Sequence, residues 1–148
     1  MSKDQDSLLL ENQICFPLYA ASRLIIQAYR EPLEELGLTY PQYLVMLVLW
    51  EKDGQAVNEI GKKLLLDSGT LTPLLKRLEA NNLIKRVRSD QDERKVEIEL
   101  TFQGKSMKSK AKKIPDQILK CLNSWEPQEL SKLTTEINKL VNTLNQPL

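Results

Sequence analysis

The stretch "LDSGTLTPLLKRLEANNLIKRVRSDQDERKVEIELT", residues 66–101, changes its hydrophobic period part-way along. In its first half leucines recur at helical spacing, which predicts a helix over Ser68–Asn81 with Asp67 or Ser68 as its N-cap. In its second half "LIKRVRS" and "KVEIELT" alternate apolar and polar residues around a charged tip, which predicts a two-stranded hairpin, with Ile84 and Val87 among its apolar positions. A basic helix followed directly by a hairpin is typical of the recognition helix and wing of a winged helix-turn-helix.

Three further helices are predicted on the N-terminal side of this stretch. Residues 57–64 form a short helix, which is the first helix of the helix-turn-helix. Residues 39–51, "TYPQYLVMLVLWE", predict a helix that is buried on all sides because its apolar residues surround it. Residues 8–36 predict one long helix, in which Pro17 occupies the first turn or causes a kink.

Two more helices are predicted on the C-terminal side. Residues 102–125, "FQGKSMKSKAKKIPDQILKCLNSW", predict a single helix with an exposed face rich in lysine. Residues 126–144 predict a last helix with one apolar face. The chain therefore continues well beyond a small winged domain at both ends.

These elements define the predicted fold class: mainly α with a small β-hairpin wing (α+β), as one domain over residues 1–148. A winged helix-turn-helix over 39–101 is flanked by dimerisation helices over 8–36 and 102–148. The flanking helices have apolar faces that a small winged domain cannot cover, so we expect a homodimer with two-fold symmetry. Such a dimer would hold two recognition helices about 34 Å apart, one turn of duplex DNA.

Composition excludes several classes of function. The chain has no histidine, no Gly-rich phosphate loop and only two cysteines, 106 positions apart, which argues against most enzymes and against a metal site or bound cofactor. The longest apolar run has eight residues, far below the roughly 20 that cross a membrane, so we expect a soluble, cytoplasmic protein. Residues 68–120 hold thirteen Lys/Arg and seven Asp/Glu, although the whole chain is only +1. A basic middle segment indicates an anionic partner, or else only a solvated lysine face.

The predicted recognition helix offers the first candidate DNA contacts. Its N-terminal end carries the short hydroxyls of Ser68, Thr70 and Thr72, which reach base edges or phosphates in such helices. Lys76 and Arg77 lie further along and suit backbone phosphates. The alternative reading of these hydroxyls is an ordinary helix surface.

The charged hairpin tip supplies the second set. Arg94 would enter the minor groove, where the narrow-groove potential favours its charge. Asp92 is acidic and should not touch DNA, but it could hold Arg94 in place. The alternative reading is a solvated hairpin tip.

Four segments together resemble a known family: "LENQICFPLYAASRLI", "LTYPQYLVMLVLWE", "LDSGTLTPLLKRLEANNLI" and "RSDQDERKVEIELT". They resemble the MarR family of winged-helix repressors, and within it the repressors that sense organic hydroperoxides. The resemblance runs from about residue 8 to the end and is weakest after residue 120. It implies a reduced dimer that binds duplex operator DNA and releases it when an organic hydroperoxide oxidises a cysteine, which derepresses a peroxide-resistance gene.

The resemblance also implies roles for particular residues. The sensing cysteine matches Cys15, and the two tyrosines that hydrogen-bond its thiolate match Tyr29 and Tyr40. Cys121 is a possible resolving cysteine, because some relatives use a second cysteine near this place while others use a small-molecule thiol. The family's DNA-contacting positions match Ser68, Thr70, Arg77, Arg86, Asp92 and Arg94.

Helix geometry limits how Cys15 could meet its tyrosines. Cys15 and Tyr29 are 14 residues apart on one predicted helix, which separates them by about 21 Å along its axis. They could meet only if two copies of the helix cross antiparallel near residue 22, where Ala20, Ala21 and Ser22 are small enough for close approach. The sequence therefore permits a sensor pocket that two subunits share.

Three other readings remain at this stage. The chain could be a MarR-type repressor gated by a non-covalent phenolic or lipophilic ligand, with Cys15 incidental. It could be a thiol peroxidase, although only the cysteine supports this reading. It could also be a protein-interaction module on a winged fold, which strong salt dependence of DNA binding would contradict.

Overall fold

The computed structural model describes residues 6–147 of the chain. In this part the chain forms seven α-helices and one small antiparallel sheet, so the prediction of a mainly α winged fold is confirmed. Residues 1–5 and 148 of the predicted domain lie outside the described residues. The helices are α1 Cys15–Glu34, α2 Tyr40–Glu51, α3 Val57–Leu64, α4 Ser68–Ala80, α5 Phe102–Ala111, α6 Ile114–Lys120 and α7 Pro127–Leu144, and the strands are β1 Gln55–Ala56, β2 Ile84–Arg88 and β3 Val96–Leu100.

The first helix is shorter than predicted. It begins at Cys15 instead of residue 8, because the preceding segment forms turns and a short 3₁₀ helix over Leu10–Asn12. The Gln13 side chain donates hydrogen bonds to the carbonyls of Ser7 and Leu9, at 2.6 and 2.9 Å, which ties the backbone into this non-helical path. Pro17 lies in the first turn of α1, where a missing backbone N–H costs nothing.

Helix α2 forms the centre of the core. A capping box starts it: the Thr39 hydroxyl accepts the Gln42 amide, and the Gln42 side chain accepts the Thr39 amide. Val45 and Met46 are completely buried. The prediction that α2 is buried on all sides is wrong for Leu47, which is 41% exposed.

The helix-turn-helix is formed by α3 and α4 as predicted. Leu65 adopts a left-handed conformation with φ 56°, and this residue ends α3. A side chain at Gly61 would come within 2.8 Å of the Leu66 carbonyl oxygen, so the glycine allows the chain to turn tightly at this point. Asp67 then caps α4, whose buried leucines fix its orientation against the core.

The wing contains a third strand that was not predicted. The strand order is β1-β3-β2, with all pairs antiparallel, and the two-residue β1 pairs with Glu97 and Ile98. In β2, Ile84 lies opposite Leu100, so both face the core. Val87 lies opposite Glu97, on the other face of the sheet from Ile84, so the two predicted apolar positions of β2 do not share a face.

The predicted single helix over residues 102–125 is two helices, α5 and α6. Pro115 explains the break, because it has no N–H to donate to the carbonyl of Ala111, four residues earlier. The lysine-rich face is also partly engaged within the molecule. Lys113 pairs with Glu35 at 2.9 Å, and the Lys108 amine donates to the Trp50 carbonyl at 3.3 Å.

Both ends of the chain leave apolar faces uncovered. Helix α7 buries none of its side chains, and in α1 only Leu33 is buried. None of the helices within residues 6–147 is long and apolar enough to cross a membrane. The large apolar side chains of α1 and α7 that remain exposed are Phe16, Tyr19, Leu24, Ile25, Ile26, Leu133, Ile137 and Leu144.

Candidate functional site

The start of α4 presents a capped helix end to solvent. The Asp67 carboxylate accepts a hydrogen bond from the Thr70 amide at 2.7 Å. Hydrogen bonding from Thr70, chiefly from this amide, lowers the pKa of Asp67 below its usual value. Ser68 and Thr70 are exposed. Thr72 is half-buried, and its hydroxyl donates to the Ser68 carbonyl at 2.7 Å, so this hydroxyl is already used within the helix.

The remainder of α4 has one basic, exposed face and one apolar, buried face. Lys76 and Arg77 are exposed, whereas Leu71, Leu75 and Leu78 on the opposite side are almost completely buried. The burial of the leucines prevents the helix from rotating, so the two basic side chains stay on the outer face. This arrangement suits contact with a polyanion.

A groove of about 910 Å³ lies between the start of α4 and the wing. Lys62 and Ser68 line it on the helix-turn-helix side, and Arg94 and Lys95 line it on the wing side. The structure thus brings two of the predicted DNA-contacting residues, Ser68 and Arg94, to one basic groove, whereas the other six lie outside its lining.

The wing tip is a turn built around Asp92. Its carboxylate accepts the backbone amide of Arg94 at 3.0 Å, and its carbonyl accepts the amide of Lys95 at 2.9 Å. The sequence predicted that Asp92 could hold Arg94 in place. In the structure Asp92 does this through the backbone amide of Arg94. The Arg94 side chain is exposed.

Arg86 lies apart from the tip, at the seam between α4 and the sheet. Its backbone amide donates to the Glu79 carboxylate at 3.2 Å, and its Nε lies 3.9 Å from the same oxygen. Sequence reasoning missed Glu79, because its pairing with Arg86 joins two separate elements and follows no local pattern.

The predicted sensing thiol is the first residue of α1. Cys15 is a free, exposed cysteine at the N-terminal end of that helix, between exposed Ile14 and Phe16. A helix N-terminus favours a negative charge. Cys121 is also free and exposed, directly after α6, and its thiol lies 3.8 Å from the Gln117 carbonyl.

The two predicted tyrosines do lie together, with a third beside them. The ring centroids of Tyr29 and Tyr40 are 4.9 Å apart, and Tyr43 lies 5.9 Å from Tyr29. Burial raises the pKa of all three phenols; neighbouring phenols add to the rise for Tyr29 and Tyr43. Sequence reasoning missed Tyr43, although its position three residues after Tyr40 on a helix places both on one face.

One chain does not bring the thiol and the tyrosines together. Cys15 and Tyr29 lie on the same unbroken helix, α1, which keeps them about 21 Å apart along its axis. In the described residues no group of three or more His, Cys, Asp or Glu side chains is placed to hold a metal ion.

Compared with known proteins, the chain is similar to transcriptional regulators. The family model described as "Transcriptional regulator SarA/Rot" matches residues 27–114. The organic hydroperoxide resistance transcriptional regulator of Bacillus subtilis (strain 168) is 47% identical to this chain over 146 residues, which are 99% of each protein.

Two solved structures of AbfR, from Staphylococcus epidermidis, also match over nearly the whole chain. Reduced AbfR bound to DNA gives a TM-score of 0.77 at 38% identity, covering 97% of this chain and 99% of that one. Disulfide-formed AbfR gives 0.62 at 40% identity, covering 95% and 93%.

Proposed function

We propose that this chain, which belongs to the MarR family of winged helix-turn-helix transcriptional regulators and to its organic-hydroperoxide-sensing (OhrR) type, is a redox-gated repressor. Its relatives are regulators of transcription, not enzymes. As a homodimer it binds operator DNA while Cys15 is reduced. Oxidation of Cys15 by an organic hydroperoxide releases the DNA and derepresses a peroxide-resistance gene. The protein acts in the cytoplasm, where its operator is.

One observation carries this proposal. Cys15 starts α1 and the tyrosine cluster lies towards the other end of the same helix, while the helix between them exposes apolar side chains. An antiparallel crossing of two α1 helices would cover those side chains. The same crossing would place Cys15 of one protomer beside Tyr29 and Tyr40 of its partner. A thiol site that is complete only in the dimer couples oxidation to the arrangement of the two recognition helices.

The chemistry follows from the groups in that shared site. The Cys15 thiolate attacks one peroxide oxygen, so that an S–O bond forms and the O–O bond breaks. The alkoxide that leaves takes a proton and becomes an alcohol, and the thiol becomes a sulfenic acid. The phenols of Tyr29 and Tyr40 have raised pKa values, so they remain protonated and donate hydrogen bonds to the thiolate.

The second oxidation step belongs to Cys121 or to a small-molecule thiol. A thiol that condenses with the sulfenic acid gives a disulfide and one water. Cys121 is exposed and free, which supports its role as the resolving cysteine. Cys15 also lies between the exposed apolar residues Ile14 and Phe16 in the sequence, which would favour organic peroxides over hydrogen peroxide.

The DNA contacts are proposed on the surface around the basic groove. Ser68 and Thr70 contact bases or phosphates at the start of α4, with Thr72 beside them, and Lys76 and Arg77 bind phosphates. On the wing, Arg94 enters the minor groove on a turn that Asp92 fixes. Arg86 contacts the backbone between the two.

DNA binding before and after oxidation tests the proposal. The reduced protein is titrated with labelled DNA from upstream of its own gene, then again after about one equivalent of cumene hydroperoxide, for wild type and Cys15→Ser. We expect the wild type to release DNA and the variant to stay bound. If both stay bound, the peroxide mechanism is wrong.

A ligand-gated repressor is the second candidate, and one feature favours it. A groove of about 600 Å³ beside Tyr40 is lined by apolar side chains together with Arg23, Arg30 and Glu34. Arg30 pairs with Glu34 at 3.4 Å, so Arg23 is the lining cation that suits a lipophilic anion. In that case wild type and Cys15→Ser would both ignore peroxide and both release DNA on adding such a ligand.

A further inference from the structure

We propose that Glu79 is a positioning residue for DNA recognition, which holds the wing at a fixed angle to the recognition helix by binding the backbone of Arg86. This inference rests on the proposed DNA binding. Glu79 itself should not touch DNA, because its carboxylate repels phosphates. Its effect on recognition acts through Arg86.

The hydrogen bond joins the two elements that enter the grooves of DNA. Glu79 lies in the last turn of α4, and one of its carboxylate oxygens accepts the amide of Arg86 in β2 at 3.2 Å. The Arg86 Nε lies 3.9 Å from that same oxygen, and the Arg86 side chain is 31% exposed. The amide is therefore the closer contact, and the guanidinium forms a longer ion pair with the same carboxylate.

The connection between α4 and β2 is already stiff, so one more bond can fix its angle. Asn82 adopts a left-handed conformation with φ 59°, and the Leu83 amide donates to the Leu78 carbonyl, which is the pattern of a Schellman cap. The Thr101 hydroxyl also donates to the Asn82 carbonyl at 2.7 Å. The hydrogen bond between Glu79 and the Arg86 amide spans this turn, so it restricts the remaining motion of β2 relative to α4.

The orientation of the wing matters because two contacts depend on it at once. A recognition helix reads the major groove while the wing enters the neighbouring minor groove. If the angle between them varies, an operator loses part of its advantage over random DNA, whereas nonspecific attraction to phosphates hardly changes.

The same hairpin supplies a matched control. Glu99 pairs with Lys85 at 3.5 Å, and Lys85 and Glu99 are opposite each other in the register, on the face of the sheet that Arg86 does not share. Removal of Glu99 deletes one negative charge from the wing, as removal of Glu79 does from the helix beside it. It leaves the bond between α4 and β2 intact.

The experiment compares Glu79→Ala, Glu79→Gln and Glu99→Ala with wild type. For each protein, Kd is measured at one salt concentration for DNA from upstream of its own gene and for a random duplex of equal length, and thermal melting confirms folding. We expect both alanine variants to bind random DNA slightly more tightly. Only Glu79→Ala should lose operator preference, by about fivefold, which is the effect of one hydrogen bond. Glu79→Gln should retain the preference, because its amide oxygen still accepts the Arg86 amide.

Two results would overturn the inference: Glu79→Ala changes operator preference no more than Glu99→Ala does, or glutamine fails to restore it. Failure of the proposed function looks different. In that case the wild type itself shows no preference between the two duplexes, so the variants have no preference to lose.

Discussion

At the scale of single residues, the proposed sensor requires a deprotonated Cys15 thiol beside protonated tyrosine phenols. A cysteine reacts with peroxides as its thiolate, so the site must stabilise an anion. Tyr29 and Tyr40 have raised pKa values because they are partly buried, and they can therefore donate hydrogen bonds throughout the physiological pH range. Burial also raises the pKa of Tyr43, but this residue is only 3% exposed, so we expect it to contribute less to a shared site than Tyr29 and Tyr40.

Substitution of the tyrosines tests this difference. Tyr29→Phe and Tyr40→Phe should each slow the oxidation of Cys15 by cumene hydroperoxide about tenfold, because a hydrogen bond to a charged group is lost. The rate is measured as the loss of free thiol, in proteins that also carry Cys121→Ser so that Cys15 is the one thiol present. Tyr43→Phe is the control from the same cluster and should react at the wild-type rate. Equal rates in all three variants would remove the tyrosines from the mechanism.

A second residue-scale prediction concerns Gly104 in the first turn of α5. A side chain at this position would overlap the Leu83 carbonyl oxygen, and a backbone atom cannot move aside easily. Gly104→Ala should therefore reduce the free energy of unfolding by about 3 kcal/mol, as overpacking does in tight sites. Gly69→Ala is the control, because its methyl group would meet only the Asp67 carboxylate at 3.5 Å, and it should be neutral or stabilising. Chemical denaturation measures both, and equal losses would contradict the account.

At the scale of elements, local patterns account for most of what could be predicted. The N-cap of α4, the leucine face of that helix and the hairpin all follow from neighbouring residues and were predicted, with Asp67 as one of two candidates for the cap. Features that depend on distant partners were not. Strand β1 forms only because residues 55–56 pair with β3, more than 40 positions away. Glu79 likewise acquires its role from Arg86 across a turn.

The candidate site shows the same division. The resemblance indicated Tyr29 and Tyr40, and the fold places their rings in contact, although they lie on different helices. It could not indicate the exposure of Leu47, because that depends on which sides of α2 other elements cover. The start of α1 was predicted seven residues too early, because side-chain hydrogen bonds from Gln13 favour turns over a helix that periodicity alone allowed.

The cap of the recognition helix has a pH dependence with a defined sign. Hydrogen bonds from Thr70 lower the folded-state pKa of Asp67, so Asp67 adds stability above the pKa of an unfolded aspartate, about 4, and this stability is lost as the pH falls through the folded-state pKa. We expect the melting temperatures of wild type and Asp67→Asn to converge as the pH is lowered below about 4. The asparagine caps the helix without titrating. A difference that stays constant from pH 6 to pH 2.5 would contradict this assignment.

At the scale of the whole molecule, the uncovered apolar faces of α1 and α7 favour a two-fold dimer. A single chain separates Cys15 from the tyrosine cluster by most of the length of α1 and leaves the apolar side chains between them in water. A two-fold dimer would resolve both features, because antiparallel α1 helices bury those side chains and join the two halves of the site. Oxidation at that joint would then change the spacing of the recognition helices.

A purified heterodimer distinguishes a site shared between two subunits from a site within one chain. One subunit carries Cys15→Ser, the other carries Tyr29→Phe and Tyr40→Phe, both carry Cys121→Ser, and two different tags allow the mixed species to be purified. The measurement is the rate at which its single thiol is oxidised by cumene hydroperoxide. If the site is shared, that thiol faces intact tyrosines of the other subunit and reacts at the wild-type rate per thiol. If it reacts as slowly as the thiols of the Tyr29→Phe, Tyr40→Phe homodimer, the site lies within one chain and the account is wrong.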